Sequence, residues 1–348
     1  MRPAVPNVAR LVLLLASALA LFGCSAPGGL ARPGSSATGA QVHDGYTYYR
    51  TGDLAAPTPG TRSMGLMLMG GGDWPEDAFR WLVRKAGHGH IVILRASYGD
   101  ELQRRLVEQI GGVASVQTFV FNSRAGADDP FVLDALRGAD GVFIAGGDQS
   151  RYIRFWKGTG VNRVLDEHVR AGKPLGGTSA GLAILGASSY GALDGGSLDS
   201  RRALNNPLGK SVTIDTDFLH LPYLHRVVTD SHFAERNRLG RLIAFLAKAA
   251  QEQQRDDLVG IGVDEDTALC IDDEGIARVF SRKNGHAWLV TPTRPADVAE
   301  PGKALTYADI SVTGIGVESR LDLNALSVQA PAFENVAHVL DGELSLGE

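Results

Sequence analysis

Ser179 stands in Gly177-Thr-Ser-Ala-Gly181, between an apolar stretch and one that suits a helix. Small residues on both sides let the backbone turn sharply and lift one hydroxyl into a cleft. Amides beginning at Ala180 would point at the same spot, where negative charge develops during acyl transfer. Such a serine is a nucleophile only with a base, and an acid to orient that base. A plain glycine-rich turn between strand and helix explains the same five residues without chemistry. The case therefore depends on finding the partners elsewhere in the chain.

A base is offered by Asp230-Ser-His232, at the end of the strand-like run Val227-Val-Thr. A histidine at a strand–helix junction can reach a serine at a neighbouring junction. With Ala234 to Ala250 read as helix, Arg236 falls one turn beyond His232 on about the same side. An acid is offered by Asp264-Glu-Asp266, which interrupts the apolar stretch from Leu258 to Ile271. These three acids fit a solvated turn or a buried carboxylate that orients a histidine. Asp230, Asp264 and Asp266 all compete with Glu265 for that role. Gly146-Gly-Asp-Gln149 follows another apolar run; its amides can supply a second oxyanion donor, and Gln149 can bind polar substrate groups. Gly70-Gly-Gly-Asp73 lacks the Gly-Lys-Ser/Thr ending of a phosphate-binding loop and reads as a tight structural turn. His220 and His225 are five apart and flank Pro222, which is no metal-binding spacing. They and His88 and His90 read as structural or surface residues, and neither metal nor cofactor is expected.

These residues need a scaffold, and the chain supplies short apolar strands alternating with helices. The strands are Met64–Met69, Ile91–Leu94, Val116–Phe121 and Val142–Ala145. Helices open at Pro75 and run over 102–110, 131–136 and 161–170. Non-alternating strands in this order argue for an α/β fold, a mostly parallel sheet covered by helices on both faces. Sites in such sheets gather at the carboxyl ends of strands, where Gly70–Asp73, Gly146–Gln149 and Gly177–Gly181 all fall. Tyr190–Lys210 reads as a long surface loop, a lid or pocket wall. Strands near 277–280, 287–290 and 310–313 extend the sheet or form a flanking antiparallel one. The tail beyond Val317 carries no readable signal.

The chain has 348 residues, 44% hydrophobic, with a net charge of −5. That allows an ordinary core and gives no basic excess for nucleic acid. Arg2 and Arg10 precede an apolar run, Leu11 to Gly23, that suits a signal-peptide core better than a membrane span. The run ends in Leu21-Phe-Gly-Cys24, which resembles a bacterial lipobox and implies cleavage before Cys24 and lipid on it. Ordinary cleavage after Ala18-Leu-Ala20 is the rival. The expected organisation is a signal peptide over 1–23, a Gly/Ser/Pro-rich tether over 24–42 and one domain over 43–348. The product would be exported and lipid-anchored, at the outer membrane or cell surface. Cys270, the other cysteine, reads as a buried strand thiol, so the fold does not depend on disulfides.

Four stretches together resemble the cyanophycinase family of serine peptidases: Phe143–Gln149, Gly177–Gly181, Asp230–Leu242 and Gly260–Ala268. The similarity runs from about Met64 to about Val290, in the family's order. It implies a three-layer αβα sandwich like that of class I glutamine amidotransferases and aspartyl dipeptidases. It also implies hydrolysis of cyanophycin, a polymer of β-linked aspartyl-arginine units, or of related β-aspartyl peptides. By the resemblance, Ser179 is the nucleophile, His232 the base and Glu265 the orienting acid. Gly147 and Ala180 supply the oxyanion hole, and Gln149, Asp230, Arg236, Arg238 and Arg241 build the substrate site. The chain departs from the family at Ser231, where Gln is usual. The expected partner is a peptide, with a homodimer as the assembly. A peptide-binding lipoprotein without catalysis, or an esterase-like acyl hydrolase, would use the same cleft. Serine rather than cysteine at position 179 argues against an amidotransferase.

Overall fold

The computed structural model describes residues 38–347. The expected signal peptide, Cys24 and most of the expected tether lie outside the described residues. The first described strand starts at Thr38, ahead of the residue 43 at which the domain is expected to begin. Thr38–His43 forms strand β1 and pairs antiparallel with β2 (Tyr46–Gly52). The alternation of the sequence then appears as β3 (Leu66–Met69), α1 (Glu76–Lys85), β4 (His90–Arg95), α2 (Glu101–Arg105) and β5 (Ser115–Phe121). A π-helical turn, Leu106–Ile110, links α2 to β5. Next come α3 (Pro130–Gly138), β6 (Gly141–Ile144), α4 (Gln149–Trp156), α5 (Gly160–Arg170) and β7 (Leu175–Thr178).

Local chemistry sets these boundaries. α1 carries Glu76 and Asp77 in its first turn and Arg84 and Lys85 in its last, each sign matching the helix dipole. It buries Ala78, Phe79, Leu82 and Val83, a one-sided stripe. α3 begins with Pro130 after Asp129, whose carboxylate accepts from the Phe131 N–H at 2.8 Å. α4, which the sequence reading left out, is capped the same way: Asp148 accepts from Ser150 N–H at 2.9 Å.

Five strands, in the order β5-β4-β6-β7-β3, pair in parallel and form the centre of the larger sheet. Alternate residues of β4 serve opposite faces. Ile91 and Ile93 pack with Phe79, Leu82 and Leu106, whereas Val92 and Leu94 pack with Val132, Leu136, Trp156 and Leu165. The sheet is thus covered by helices on both sides, which gives the αβα layering. Antiparallel strands flank this centre. β1 and β2 extend it on one side.

The second half of the chain supplies the other flank and a second sheet. After β7 come α6 (Ala180–Ala183), β8 (Ser188–Tyr190), α7 (Ser200–Asn205), β9 (Ile214–Thr216), β10 (Val227–Asp230) and α8 (Leu239–Gln253). β11 (Val259–Val263), β12 (Thr267–Ile271), β13 (Ile276–Ser281), β14 (Ala287–Pro292) and β15 (Tyr307–Ile315) follow. β12 pairs antiparallel with β3, and β13 pairs with β12, so both join the larger sheet. β8, β10 and β11 are parallel neighbours in the second sheet, which β14 and β15 extend antiparallel. Residues 277–280 thus extend the first sheet, while 287–290 and 310–313 lie in the other. The tail beyond Val317 holds β16 (Arg320–Asp322), β17 (Ser327–Gln329), β18 (Phe333–Leu340) and β19 (Glu343–Gly347). These strands carry mixed polarity, which hides them from period analysis. α8 packs Leu242, Ile243, Phe245 and Leu246 into a core with Val228, Leu258 and Val290. Among the described residues, no helix is long and apolar enough to cross a membrane.

The two sheets meet where the chain turns from β11 into β12, at residues 264–266. That turn is held against the end of β3: Gly70 N–H donates to Thr267 O at 3.0 Å, and Asp266 N–H to Gly71 O at 2.9 Å.

Candidate active site

Ser179 follows β7 directly and precedes α6. Its φ of 53° and ψ of −112° lie outside the regions that L-residues ordinarily occupy. The turn holds because its surroundings are glycine. A Cβ on Gly177 would fall 2.5 Å from Gly181 O, and one on Gly181 would fall 2.2 Å from Ile144 O. The Ser179 N–H donates to Met69 O at 3.0 Å, so the end of β3 fixes the turn from the other side.

His232 follows β10, in the second sheet, and also has a positive φ, 47°. Its N–H donates to Gly70 O at 2.8 Å. The ring then reaches both of its neighbours. Ser179 Oγ lies 2.6 Å from Nε2, and Glu265 Oε1 lies 2.5 Å from Nδ1. A carboxylate only accepts, so Nδ1 carries the proton, and Nε2 is left to accept from the serine hydroxyl. Burial lowers the imidazole's pKa below its ordinary value; the hydrogen bond to Glu265 opposes this, and the charges of Arg236 and Arg238 add to it. The lowered pKa favours the neutral ring, whose Nε2 lone pair can take a proton.

The competing acids point elsewhere. Asp264 is buried and accepts from Ala234 N–H, His286 N–H and Trp288 Nε1–H at 2.8–3.0 Å. Burial raises its pKa, against those bonds. Asp266 holds Asp73 N–H and the Lys283 ammonium, at 2.5 and 2.6 Å. Asp230 takes a bidentate grip from Arg241, 2.7 Å to Nε and 2.5 Å to Nη2, with Arg238 Nη1 at 3.5 Å. Only Glu265 of the four meets the histidine.

Ser179, Ala180, His232, Gly147 and Gln149 line one cavity of about 360 Å³. Gly147 comes from the loop after β6 with φ 151°, against Ser97; a Cβ there would lie 2.8 Å from Ser97 Oγ. Gln149 opens α4 and donates to Tyr190 O at 3.3 Å. The expected substrate residues divide. Arg236, Arg238 and Arg241 line the cavity, whereas Asp230 sits behind it as the buried anchor of Arg241 and Arg238. Burial draws the Arg238 pKa down to about 10. Residues 234–237 form turns rather than the expected helix, which begins at Leu239 after its N-cap Arg238. Arg236 still sits one turn from His232, because its N–H donates to His232 O at 3.2 Å. It lies 3.8 Å from Glu265.

Residues 114–279 match the model of peptidase family S51. A cyanophycinase of Synechococcus elongatus is 32% identical over 212 residues, 60% of this chain and 59% of that one. A cyanophycinase of Trichormus variabilis is 30% identical over 198 residues, 57% of this chain and 60% of that one. Over residues 114–279 the chain is similar to peptidase family S51. Its match spans about three fifths of the length of these curated relatives. A solved peptidase from an acI-B1 Actinobacterium is 18% identical with a TM-score of 0.47, covering 68% of this chain and 97% of that one.

Two parts of this site escaped the sequence reading. Gly70-Gly-Gly, read there as a tight structural turn, packs on the His232 ring: a Cβ on Gly71 would fall 2.2 Å from His232 Cε1. The other is Arg154, on α4, which also lines the cavity. The Asp148 cap and the spacing of Tyr152, Ile153 and Trp156 are the signals that would have revealed its helix. The polar loop 190–210 does wall the cavity through Ala192, Gly195, Gly196 and Ser197, but it also contains α7.

Proposed function

We propose that the chain is a serine peptidase that hydrolyses peptide or isopeptide bonds of β-aspartyl-arginine type through an acyl-enzyme. The observation that carries this reading is the unbroken chain of contacts from Ser179 Oγ through His232 to Glu265. As Oγ attacks the scissile carbonyl, its proton passes to His232 Nε2 and Glu265 stabilises the imidazolium. The carbonyl oxygen takes the negative charge, and the N–H groups of Gly147 and Ala180 are its donors. α6 is only four residues long, so these local amides matter more than its dipole. Collapse breaks the carbon–nitrogen bond, and His232 returns the proton to the leaving amine. Water, deprotonated by the same histidine, then cleaves the ester and restores Ser179.

Arg154, Arg236, Arg238 and Arg241 in the lining favour a substrate that carries carboxylates, which agrees with β-aspartyl peptides and with the cyanophycinases among the relatives. Ser231, buried next to His232 in the cavity lining, offers a shorter side chain than the Gln usual in the family. We include export in the reading, on the strength of the Leu21–Cys24 lipobox. Mass spectrometry of the mature N-terminus should find acylated Cys24; an unmodified start at Leu21 would mean ordinary secretion.

The test of catalysis is a fluorophosphonate probe combined with a screen of β-aspartyl peptides. Ser179 should be labelled and the wild-type chain should turn over at least one peptide, while Ser179→Ala does neither. Turnover that survives in Ser179→Ala would overturn the reading.

A further inference from the structure

Four arginines line the cavity around Ser179: Arg154, Arg236, Arg238 and Arg241. Three of them already face acids, since Arg236 meets Glu265, and both Arg238 and Arg241 meet Asp230. Asp148 is the one carboxylate residue of the lining, and it pairs with Arg151. Arg154 is different. Among the described residues it has no acid at ion-pair distance, and the partner of its guanidinium is a neutral carbonyl, Leu193 O, at 2.9 Å from Nη2. A guanidinium carries five N–H donors in a rigid fork, so one such bond leaves most of its capacity unused.

Its position is fixed from behind. Arg124 donates to the Arg154 carbonyl at 3.1 Å and to the Lys157 carbonyl at 2.8 Å, which holds the last turn of α4. Buried Tyr152, Ile153 and Trp156 hold the same helix on the core. Arg154 is thus an exposed cation on an anchored helix, at the rim of the cavity that holds the nucleophile.

We propose that Arg154 determines specificity by pairing with a free carboxylate of the substrate away from the scissile bond. This rests on the peptidase reading of the same cavity. The substrate class it selects is a peptide that keeps a main-chain carboxylate free, as a β-linked aspartyl residue or its neighbour does. The carboxylate takes the donors that Leu193 O leaves unused, and a charge-assisted pair replaces solvation of an isolated cation.

The test uses Ser179→Ala protein, which binds without turnover, and three probes: β-aspartyl-arginine, its C-terminal amide and its aspartyl α-amide. Each amide removes one carboxylate. One amide should bind ~10–100-fold more weakly than the parent dipeptide. Arg154→Ala in the same background should bind all three alike, and Arg154→Lys should recover part of the difference, because a point charge replaces the fork. A merely structural Arg154 would weaken all three probes equally and lower the melting temperature. Retention of the preference in Arg154→Ala overturns the proposal, and so does failure of all three probes to bind. Hydrolysis by the protein with Ser179 intact is scored separately. A preference that depends on Arg154 without turnover would overturn the peptidase reading and leave the carboxylate site standing.

Discussion

The ring of His232 lies directly over the α-carbon of Gly71. A methyl group added there would sit 2.2 Å from Cε1, 2.7 Å from Nδ1 and 2.7 Å from Nε2. The same glycine has φ +119°, which L side chains rarely adopt. The imidazole must therefore move if position 71 gains a side chain, and both of its short hydrogen bonds go with it.

Gly71→Ala should accordingly lose turnover by ~10²-fold or more, the scale expected when a reacting group shifts by about 1 Å. Its far-ultraviolet circular dichroism should stay that of the parent. Full kcat/KM in this variant would mean that the ring position is not needed for the chemistry.

The three consecutive acids should separate by phenotype. Glu265→Gln removes the charge that orients His232, so it should cut kcat strongly yet less than Ser179→Ala, which removes the nucleophile. Asp264→Asn should instead cost stability, about 1–3 kcal/mol, because it turns an amide nitrogen at this buried position toward the N–H donors of Ala234, His286 or Trp288. Chemical denaturation and steady-state kinetics on the two variants distinguish these outcomes. Loss of kcat in Asp264→Asn with unchanged stability would reverse the assignment.

Activity should extend to acidic pH. The base must be neutral, and burial holds the His232 pKa below its ordinary value. The acid limb of kcat/KM should therefore lie below ~6.5, with turnover falling as pH drops through the lowered pKa and the imidazole charges. Arg236→Gln removes a nearby positive charge, which favours the imidazolium, so its acid limb should move to higher pH. A shift the other way would place the cause elsewhere.

Asp230 should matter for folding more than for substrate contact. It is buried between two buried arginines and gives both oxygens to Arg241. Asp230→Ala would leave these cations without their acid, at a cost of about 3–5 kcal/mol. Thermal unfolding should show a marked drop in melting temperature. A stable variant with a raised KM would mean that Asp230 binds substrate directly.

Much of the site was legible in the chain itself. The glycines around Ser179, the strand-end positions of Gly146–Gln149 and His232, and the run of acids at 264–266 are local patterns. Strand and helix periods are local too, and they revealed the parallel centre from β3 to β7. Three-dimensional packing decided the rest. The sequence offered four acids for His232, and spacing cannot rank them, since Asp264 and Asp266 differ from Glu265 by one residue. The turn from β11 to β12 ranks them by direction: Asp264 points into the second sheet, Asp266 points to Asp73 and Lys283, and Glu265 is left toward the ring. Whether the later strands extend the first sheet or form a flanking one stayed open, because which strands pair is a long-range choice that period-two patterns do not encode. Gly71 and Arg154 stayed hidden for the same reason: a glycine's neighbour and an arginine's missing partner exist only once distant segments meet.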